Sequence, residues 1–163
     1  MATKPLKKTH AIRLLESKGI AHLVTVYDGS GEFHTGEQAA ALVGAPAEVV
    51  YKTLVVSRDP PSGKPMLVMV PVAADVDLKA LAAALGEKRL RMATRKEAEK
   101  LTGMQVGGIS ALALQRPAFD VLVDERASLF GKIHVSGGAR GIDVELAVDD
   151  LVALTGARYV KMV

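Results

Sequence analysis

The stretch Val49-Val50-Tyr51-Lys52-Thr53-Leu54-Val55-Val56 carries one cation inside an otherwise largely apolar, β-branched run. Such a run predicts a short buried strand. A buried ammonium is costly unless it has a partner or reaches a cleft. Lys52 therefore indicates either a functional cleft or a strand end from which its side chain snorkels to water.

The composition limits what can surround this strand. The chain has 163 residues, of which 49% are hydrophobic, enough for one domain with a substantial core. The net charge of +3 and the pI of about 9.2 permit an anionic partner without requiring one. The absence of cysteine excludes disulfides and thiolate chemistry by the protein itself. No signal-like or membrane-spanning apolar segment is present, so we expect a cytoplasmic protein without membrane contact.

On either side of Lys52, helix-capping residues and the prolines and glycines that interrupt regular structure predict the other helices and strands. A second apolar strand, Met66 to Val72, follows a loop rich in proline and glycine, so the two strands could form a hairpin. Helices are predicted at 9–18, from a Thr35–Gln38 capping box to Gly44, from Asp77 to Gly86, from Thr94 to Gly103, and after a cap at Asp149 or Asp150. Further strands are predicted at 21–27, 89–92, 119–123, 132–135 and 158–162.

These elements predict an α+β domain with a mixed sheet, because strands outnumber helices and the two do not alternate strictly. Nothing in the chain resembles a linker, so residues 1–163 are expected to form a single domain. Residues 1–8 are expected to be a loose basic arm at its start.

Several kinds of catalytic site are not indicated. The four histidines, His10, His22, His34 and His134, lack metal-type spacing, and each is interpreted as an ordinary surface or half-buried residue. Neither a Walker motif nor a serine nucleophile elbow is present. Asp143 and Glu145 could be a carboxylate pair, but alternating acids are more often turn or solvent-face residues. We therefore expect no metal and no cofactor.

Two glycine-rich loops are more informative. Gly107-Gly108 would allow backbone N–H groups to approach a ligand, and such donors can stabilise a developing oxyanion. In the loop from Ser136 to Gly141, Ser136 could donate to a ligand and Arg140 could meet a phosphate. The alternatives are a turn or bulge without a ligand for the first loop and a hairpin-like turn for the second.

The ordered set of motifs resembles a known family. The segments are Val50-Tyr51-Lys52-Thr53-Leu54, Val106-Gly107-Gly108-Ile109-Ser110, and Val135-Ser136-Gly137-Gly138 continuing through Arg140-Gly141-Ile142-Asp143-Val144-Glu145-Leu146. Together they resemble the YbaK/EbsC-type aminoacyl-tRNA deacylases, which include bacterial Cys-tRNA(Pro) deacylases and the editing domains of prolyl-tRNA synthetases. The resemblance extends from about Ala11 to Lys161.

The resemblance implies a mixed, mostly antiparallel and barrel-like sheet with surrounding helices. It implies hydrolysis of the aminoacyl ester of mischarged tRNA, most directly Cys-tRNA(Pro), with prolyl-tRNA synthetase as a further partner. Lys52 and Gly107 match the catalytic positions, and Tyr27, Ser136 and Asp143 match further pocket positions; with them we group Gly108 as substrate-binding.

Alternatives remain open at this point. The substrate could instead be Ala-tRNA(Pro) or another small aminoacyl ester, or the domain could be a non-catalytic module that binds tRNA or a nucleotide. Ala111 replaces the proline common in the family, and no histidine closely follows Tyr27, so amino-acid specificity is open. A basic run could contact tRNA phosphates or form a solvated helix face: Lys88, Arg89, Arg91, Arg95, Lys96 and Lys100.

Overall fold

The structure, a computed structural model, describes residues 8–29, 36–114 and 118–163. Most of the predicted basic arm, and Thr35 of the predicted capping box, lie outside these residues. The helices are α1 (His10–Ser17), α2 (Gly36–Val43), α3 (Leu78–Leu85), α4 (Arg95–Thr102) and α5 (Val148–Thr155). The strands are β1 (His22–Val26), β2 (Tyr51–Arg58), β3 (Met66–Pro71), β4 (Leu90–Met92), β5 (Asp120–Asp124), β6 (Lys132–Ser136), β7 (Ile142–Ala147) and β8 (Arg158–Val160). Two 3₁₀ turns span Ala47–Val49 and Glu125–Leu129.

The strands form two sheets, which confirms the α+β prediction. One sheet has the order β1-β7-β6 and is antiparallel throughout. The other has the order β4-β2-β3-β5-β8, with antiparallel pairing around β2 and parallel pairing at β5. The sheets do not close into a barrel. They meet at an isolated bridge between Val50 and His134, just before β2 begins.

The central strand β3 is buried along its whole length. Met66, Val68 and Val70 pack with α3 on one face, in a cluster that includes Leu81. Leu67 and Met69 belong to the larger core on the other face, which α1, α5 and the three-stranded sheet cover. A strand covered on both faces is uniformly apolar, which is why this segment was recognisable from sequence.

Most helix boundaries follow their predicted caps. The side chains of Asp77 and Thr94 accept hydrogen bonds from the first-turn N–H groups of α3 and α4. α5 is the exception, because its N-cap is Ala147 and not Asp149 or Asp150. The helix leaves β7 without an intervening loop, so both aspartates lie in its first turn, where negative charge favours the helix dipole.

β7 is the strand that the sequence did not predict. Its residues Asp143 and Glu145 alternate with apolar ones, and this pattern suggested a turn or a solvent-facing edge. In the structure β7 is instead the middle strand of its sheet, and the side chain of Asp143 is buried. In the described part of the chain, no helix is long and apolar enough to cross a membrane.

Candidate active-site cleft

A cleft of about 240 Å³ lies where the two sheets meet. The start of β2, the end of β6, the start of β7 and the loop after α4 form its walls. It brings together residues that are far apart in sequence and that were singled out for their chemistry: Tyr27, Lys52, Gly107, Ser136 and Asp143. Much of the remaining lining is apolar, including Val50, Val72 and Ile109. Gly108 does not line the cleft, and Ala111 is buried in the main core.

Lys52 reaches the cleft from the apolar start of β2. Its side chain is 31% exposed, and its Nζ lies 3.6 Å from Oδ1 of Asp75, whose side chain is fully exposed. An ion pair of this length with an exposed partner is weak. The Lys52 ammonium is therefore a cation at the edge of an apolar cleft that can exchange its partner for an anionic or carbonyl group.

The two glycines of the Gly107-Gly108 loop differ in the hydrogen bonding of their N–H groups. Among the described residues the N–H of Gly107 makes no hydrogen bond, and Gly107 lines the cleft. The N–H of Gly108 instead donates to the carbonyl of Gln105 at 2.8 Å. A Cβ on Gly108 would lie 2.7 Å from the backbone nitrogen of Arg140. Gly108 therefore allows the two glycine loops to pack backbone against backbone, and its role in substrate binding stays a prediction.

Ser136 and Tyr27 line the cleft on the side of the three-stranded sheet. The Ser136 hydroxyl accepts a hydrogen bond from the N–H of Gly138 at 3.1 Å, which leaves its own proton available for another acceptor. The backbone of Tyr27 packs against Gly141, and its N–H donates to the Gly141 carbonyl at 2.8 Å. Burial raises the pKa of Tyr27, so its phenol stays protonated at neutral pH.

Asp143 is the buried carboxylate of the cleft. It is 4% exposed, and its Oδ2 lies 2.6 Å from Nδ1 of His134, which is itself 8% exposed. The other ring nitrogen, Nε2, lies 3.2 Å from Oε2 of Glu145. The hydrogen bond to Asp143 raises the pKa of His134, while burial raises the pKa of Asp143.

Sequence reasoning missed His134 because it was one of four unclustered histidines. The register that pairs His134 with Glu145 and Ser136 with Asp143 was the missing signal, and it could be read only after β7 had been recognised as a strand. The two carboxylates approach opposite nitrogens of the ring and do not converge on one point. In the described part of the chain, no group of three or more His, Asp or Glu residues could hold a metal ion.

The basic run was considered as a tRNA contact, and its three arginines pair with acids. Arg91 makes two hydrogen bonds to Glu97, the shorter of them 2.8 Å. Arg89 lies 3.9 Å from Asp59, and Arg95 lies 3.7 Å from Glu99. A larger cleft of about 500 Å³ at the far end of β2 is lined by Arg91 and Glu97. Its arginines are neutralised by acids, so the smaller cleft is the better candidate site.

Comparison with known proteins identifies a family that the cleft fits. The sequence model of the aminoacyl-tRNA editing domain matches residues 31–154. A candidate Cys-tRNA(Pro)/Cys-tRNA(Cys) deacylase, EbsC from Enterococcus faecalis (strain ATCC 700802 / V583), is 29% identical over 159 residues, which are 98% of this chain and 95% of the relative.

Two solved structures share the fold. A hypothetical protein has a TM-score of 0.81 at 23% identity, with 94% of this chain and 99% of that chain covered. A candidate trans-editing enzyme for prolyl-tRNA synthetase has a TM-score of 0.75 at 24% identity, with 99% of this chain and 98% of that chain covered. At these identities the likeness shows the fold alone.

Proposed function

The chain belongs to the aminoacyl-tRNA editing domain family and acts as an aminoacyl-tRNA deacylase; on that premise we propose that its substrate is Cys-tRNA(Pro). The observation that supports this choice is the convergence of three groups on one small cleft: a partly exposed cation, a backbone N–H without a partner among the described residues, and a buried carboxylate. At about 240 Å³ the cleft is smaller than the pockets that hold drug-sized ligands, so it favours a small amino acid.

Each polar group of the cleft matches one part of an aminoacyl ester. The substrate carries an α-ammonium, and the Asp143 carboxylate is a complementary partner for it. The Lys52 ammonium would contact the terminal phosphate or ribose of the tRNA and keep the ester in place. The Gly107 N–H would donate to the carbonyl oxygen as it becomes an oxyanion. Ser136 and Tyr27 would add hydrogen-bonding groups, whereas Gly108 would act only by holding the loop.

An aminoacyl ester is already activated, so positioning and electrostatic stabilisation account for much of the catalysis. With a cysteinyl ester we propose that the substrate thiol attacks its own carbonyl carbon. The new C–S bond forms as the C–O bond to the ribose breaks, and the thiol proton passes to the departing ribose oxygen. Water then opens the resulting thioester to release cysteine. The protein needs no nucleophile of its own in this scheme.

We also propose that residues 1–163 act as one editing domain in the cytoplasm, where tRNA is charged, with prolyl-tRNA synthetase as a partner that supplies mischarged tRNA. The family match to residues 31–154 supports the first part of this proposal. Copurification of the two proteins in the presence of tRNA(Pro) would test the partnership.

The experiment for the substrate is a deacylation panel with enzyme in excess. Cys-tRNA(Pro), Ala-tRNA(Pro), Cys-tRNA(Cys) and correctly charged Pro-tRNA(Pro) would be compared, with the uncatalysed rate of each subtracted. We expect cysteine to be released fastest and proline to be retained. Faster release of alanine would move the assignment to Ala-tRNA(Pro). Binding of charged tRNA without release of any amino acid would favour a non-catalytic module.

A further inference from the structure

The ring of His134 lies between two carboxylates behind the wall of the cleft. Nδ1 is 2.6 Å from Oδ2 of Asp143, and Nε2 is 3.2 Å from Oε2 of Glu145. Asp143 and its cross-strand partner Ser136 line the cleft, but His134 does not. Any influence of His134 on a bound substrate therefore passes through Asp143.

The geometry favours a charged ring. An ionised carboxylate only accepts hydrogen bonds, and a neutral imidazole has a single N–H to donate. Both contacts can be hydrogen bonds to carboxylates only when both ring nitrogens carry protons. The direction of titration agrees, because the hydrogen bond to Asp143 is the largest cause that raises the pKa of His134.

The backbone of His134 links the same network to the other wall of the cleft. His134 forms a parallel bridge with Val50, which lies two residues before Lys52. Lys132, the next residue on the same face of β6, is exposed, and so is Glu48 on the neighbouring 3₁₀ turn. Among the described residues, Asp143 and Glu145 are the charged groups that act on the ring.

We propose that His134 is a positioning residue: its imidazolium, held between Glu145 and Asp143, keeps the Asp143 carboxylate ionised and fixed in the cleft, so that deacylation weakens when the ring loses its second proton. This proposal rests on the proposed function for its activity readout. The Nε2 proton is the one lost, because the contact at Nδ1 is the shorter. A lone pair on Nε2 would then face the Glu145 carboxylate, and the repulsion would displace the ring and Asp143 with it.

The activity test is a pH profile of kcat/KM between pH 6 and 9 for the wild type and three variants. The substrate's own α-amino group titrates near pH ~8 in every profile, so each variant is compared with the wild type. In His134→Phe the loss of a hydrogen bond to a charged group should lower kcat/KM about tenfold or more, chiefly through KM. In His134→Asn the amide can still donate to Asp143 but does not titrate. This variant should recover much of the loss at pH 6 and lack the additional alkaline decline of the wild type.

Glu145→Gln is the matched control for charge, because the amide can donate to a neutral Nε2. Its ring should lose the second proton at a lower pH than in the wild type, but its alkaline decline should be smaller, because the amide still holds the neutral ring. Coincident pH profiles for the wild type, His134→Asn and Glu145→Gln would overturn the proposal, and so would a His134→Phe variant with unchanged KM. Thermal melts of all variants would separate lost activity from lost fold.

An NMR titration of the His134 ring in the free protein tests the charge without any substrate. We expect a midpoint above that of an ordinary histidine in the wild type and a lower one in Glu145→Gln. A neutral ring at pH 6.5 would overturn the proposal even if deacylation is observed. If no ester is hydrolysed but the ring titrates as expected, the proposed function fails. The conclusion that His134 is an imidazolium held between two carboxylates is then kept.

Discussion

Lys52 and Asp143 carry opposite charges on facing sides of the same cleft, and the protein holds them in opposite ways. Lys52 has one contact, at 3.6 Å, with the fully exposed side chain of Asp75. Asp143 is 4% exposed and lies 2.6 Å from a buried histidine. An exposed pair is screened and replaceable, whereas a buried charged pair depends on its partner. The cleft therefore has one charge that can change partner on binding and one that is fixed before the substrate arrives.

This difference between Lys52 and Asp143 predicts whether a substitution should change activity, stability or both. Replacing Lys52 removes a group that the fold does not need for stability. Activity should therefore fall while stability is kept. Replacing Asp143 removes a group that the fold itself uses, so both should change. The following predictions test this contrast in order of decreasing expected effect.

The largest effect is expected for Lys52→Ala. Loss of the cation should misplace the ester relative to the Gly107 N–H, and deacylation should slow by about 100-fold or more. Lys52→Arg should also be strongly impaired, since the planar guanidinium does not replace the compact ammonium. Single-turnover deacylation and thermal melts of both variants measure the two quantities. Near-wild-type turnover of Lys52→Ala would reduce Lys52 to a snorkelling strand residue.

Asp143→Asn should reduce kcat/KM by about 10- to 100-fold, because a charged partner for the substrate ammonium is lost. Unlike Lys52→Ala, this variant should also change the pKa of a buried group of the protein. The His134 pKa should fall, since the hydrogen bond that raises it loses its anionic acceptor. Kinetics and a histidine NMR titration on the same sample test both effects. Lost activity with an unchanged His134 titration would break the contrast between the two walls.

Gly108→Ala should disturb the contact between the two glycine loops. A Cβ there would lie 2.7 Å from the backbone nitrogen of Arg140 and 2.8 Å from the backbone carbon of Ala139. Overpacking of this kind should destabilise the protein by about 1–3 kcal/mol. Gly131→Ala is the matched control, because a Cβ there meets nothing within 4 Å. Denaturant unfolding should separate the two, and equal stabilities would mean that the loops can part without cost.

Stability should decline as the pH rises from 6 to 9. The raised pKa of His134 means that its stabilising contribution is full below its unfolded pKa of about 6.5 and is lost as the pH rises through the folded pKa. Burial raises the pKa of Asp143, so the stability that its ionisation costs is lost at lower pH, as the pH rises from the unfolded value of about 3.9. Urea unfolding of the wild type and His134→Asn across this range measures the histidine part as the difference in slope. Parallel curves would contradict it.

The smallest effect is expected for Asp75→Asn. Removing a weak, exposed partner should release Lys52 to the substrate and change kcat/KM by less than about threefold, with any change upward. Activity at low and at moderate ionic strength would be compared, because salt should erase the difference. A fall of tenfold or more would show that Asp75 holds Lys52 in place, and Lys52 would then be as fixed as Asp143.

Much of the fold could be predicted because its signals are local. The apolar run of β3, the caps Asp77 and Thr94, and the left-handed glycines after α3 and α4 each act within a few residues of their own position. β7 was not predicted from the sequence because its polar residues face a buried histidine and not solvent. α5 begins earlier than predicted because β7 continues directly into it.

The sequence by itself determined that the start of β2 places a lysine in an apolar run, that two glycine loops flank a later strand, and that no cysteine takes part. Those features depend on residue type and short-range pattern. Only the tertiary structure decided that Lys52, Gly107 and Asp143 share one cleft, that Gly108 packs against the other glycine loop, and that His134 lies between two carboxylates. These depend on strand register and sheet order, which join residues far apart in the chain and which a single sequence does not encode as any local pattern.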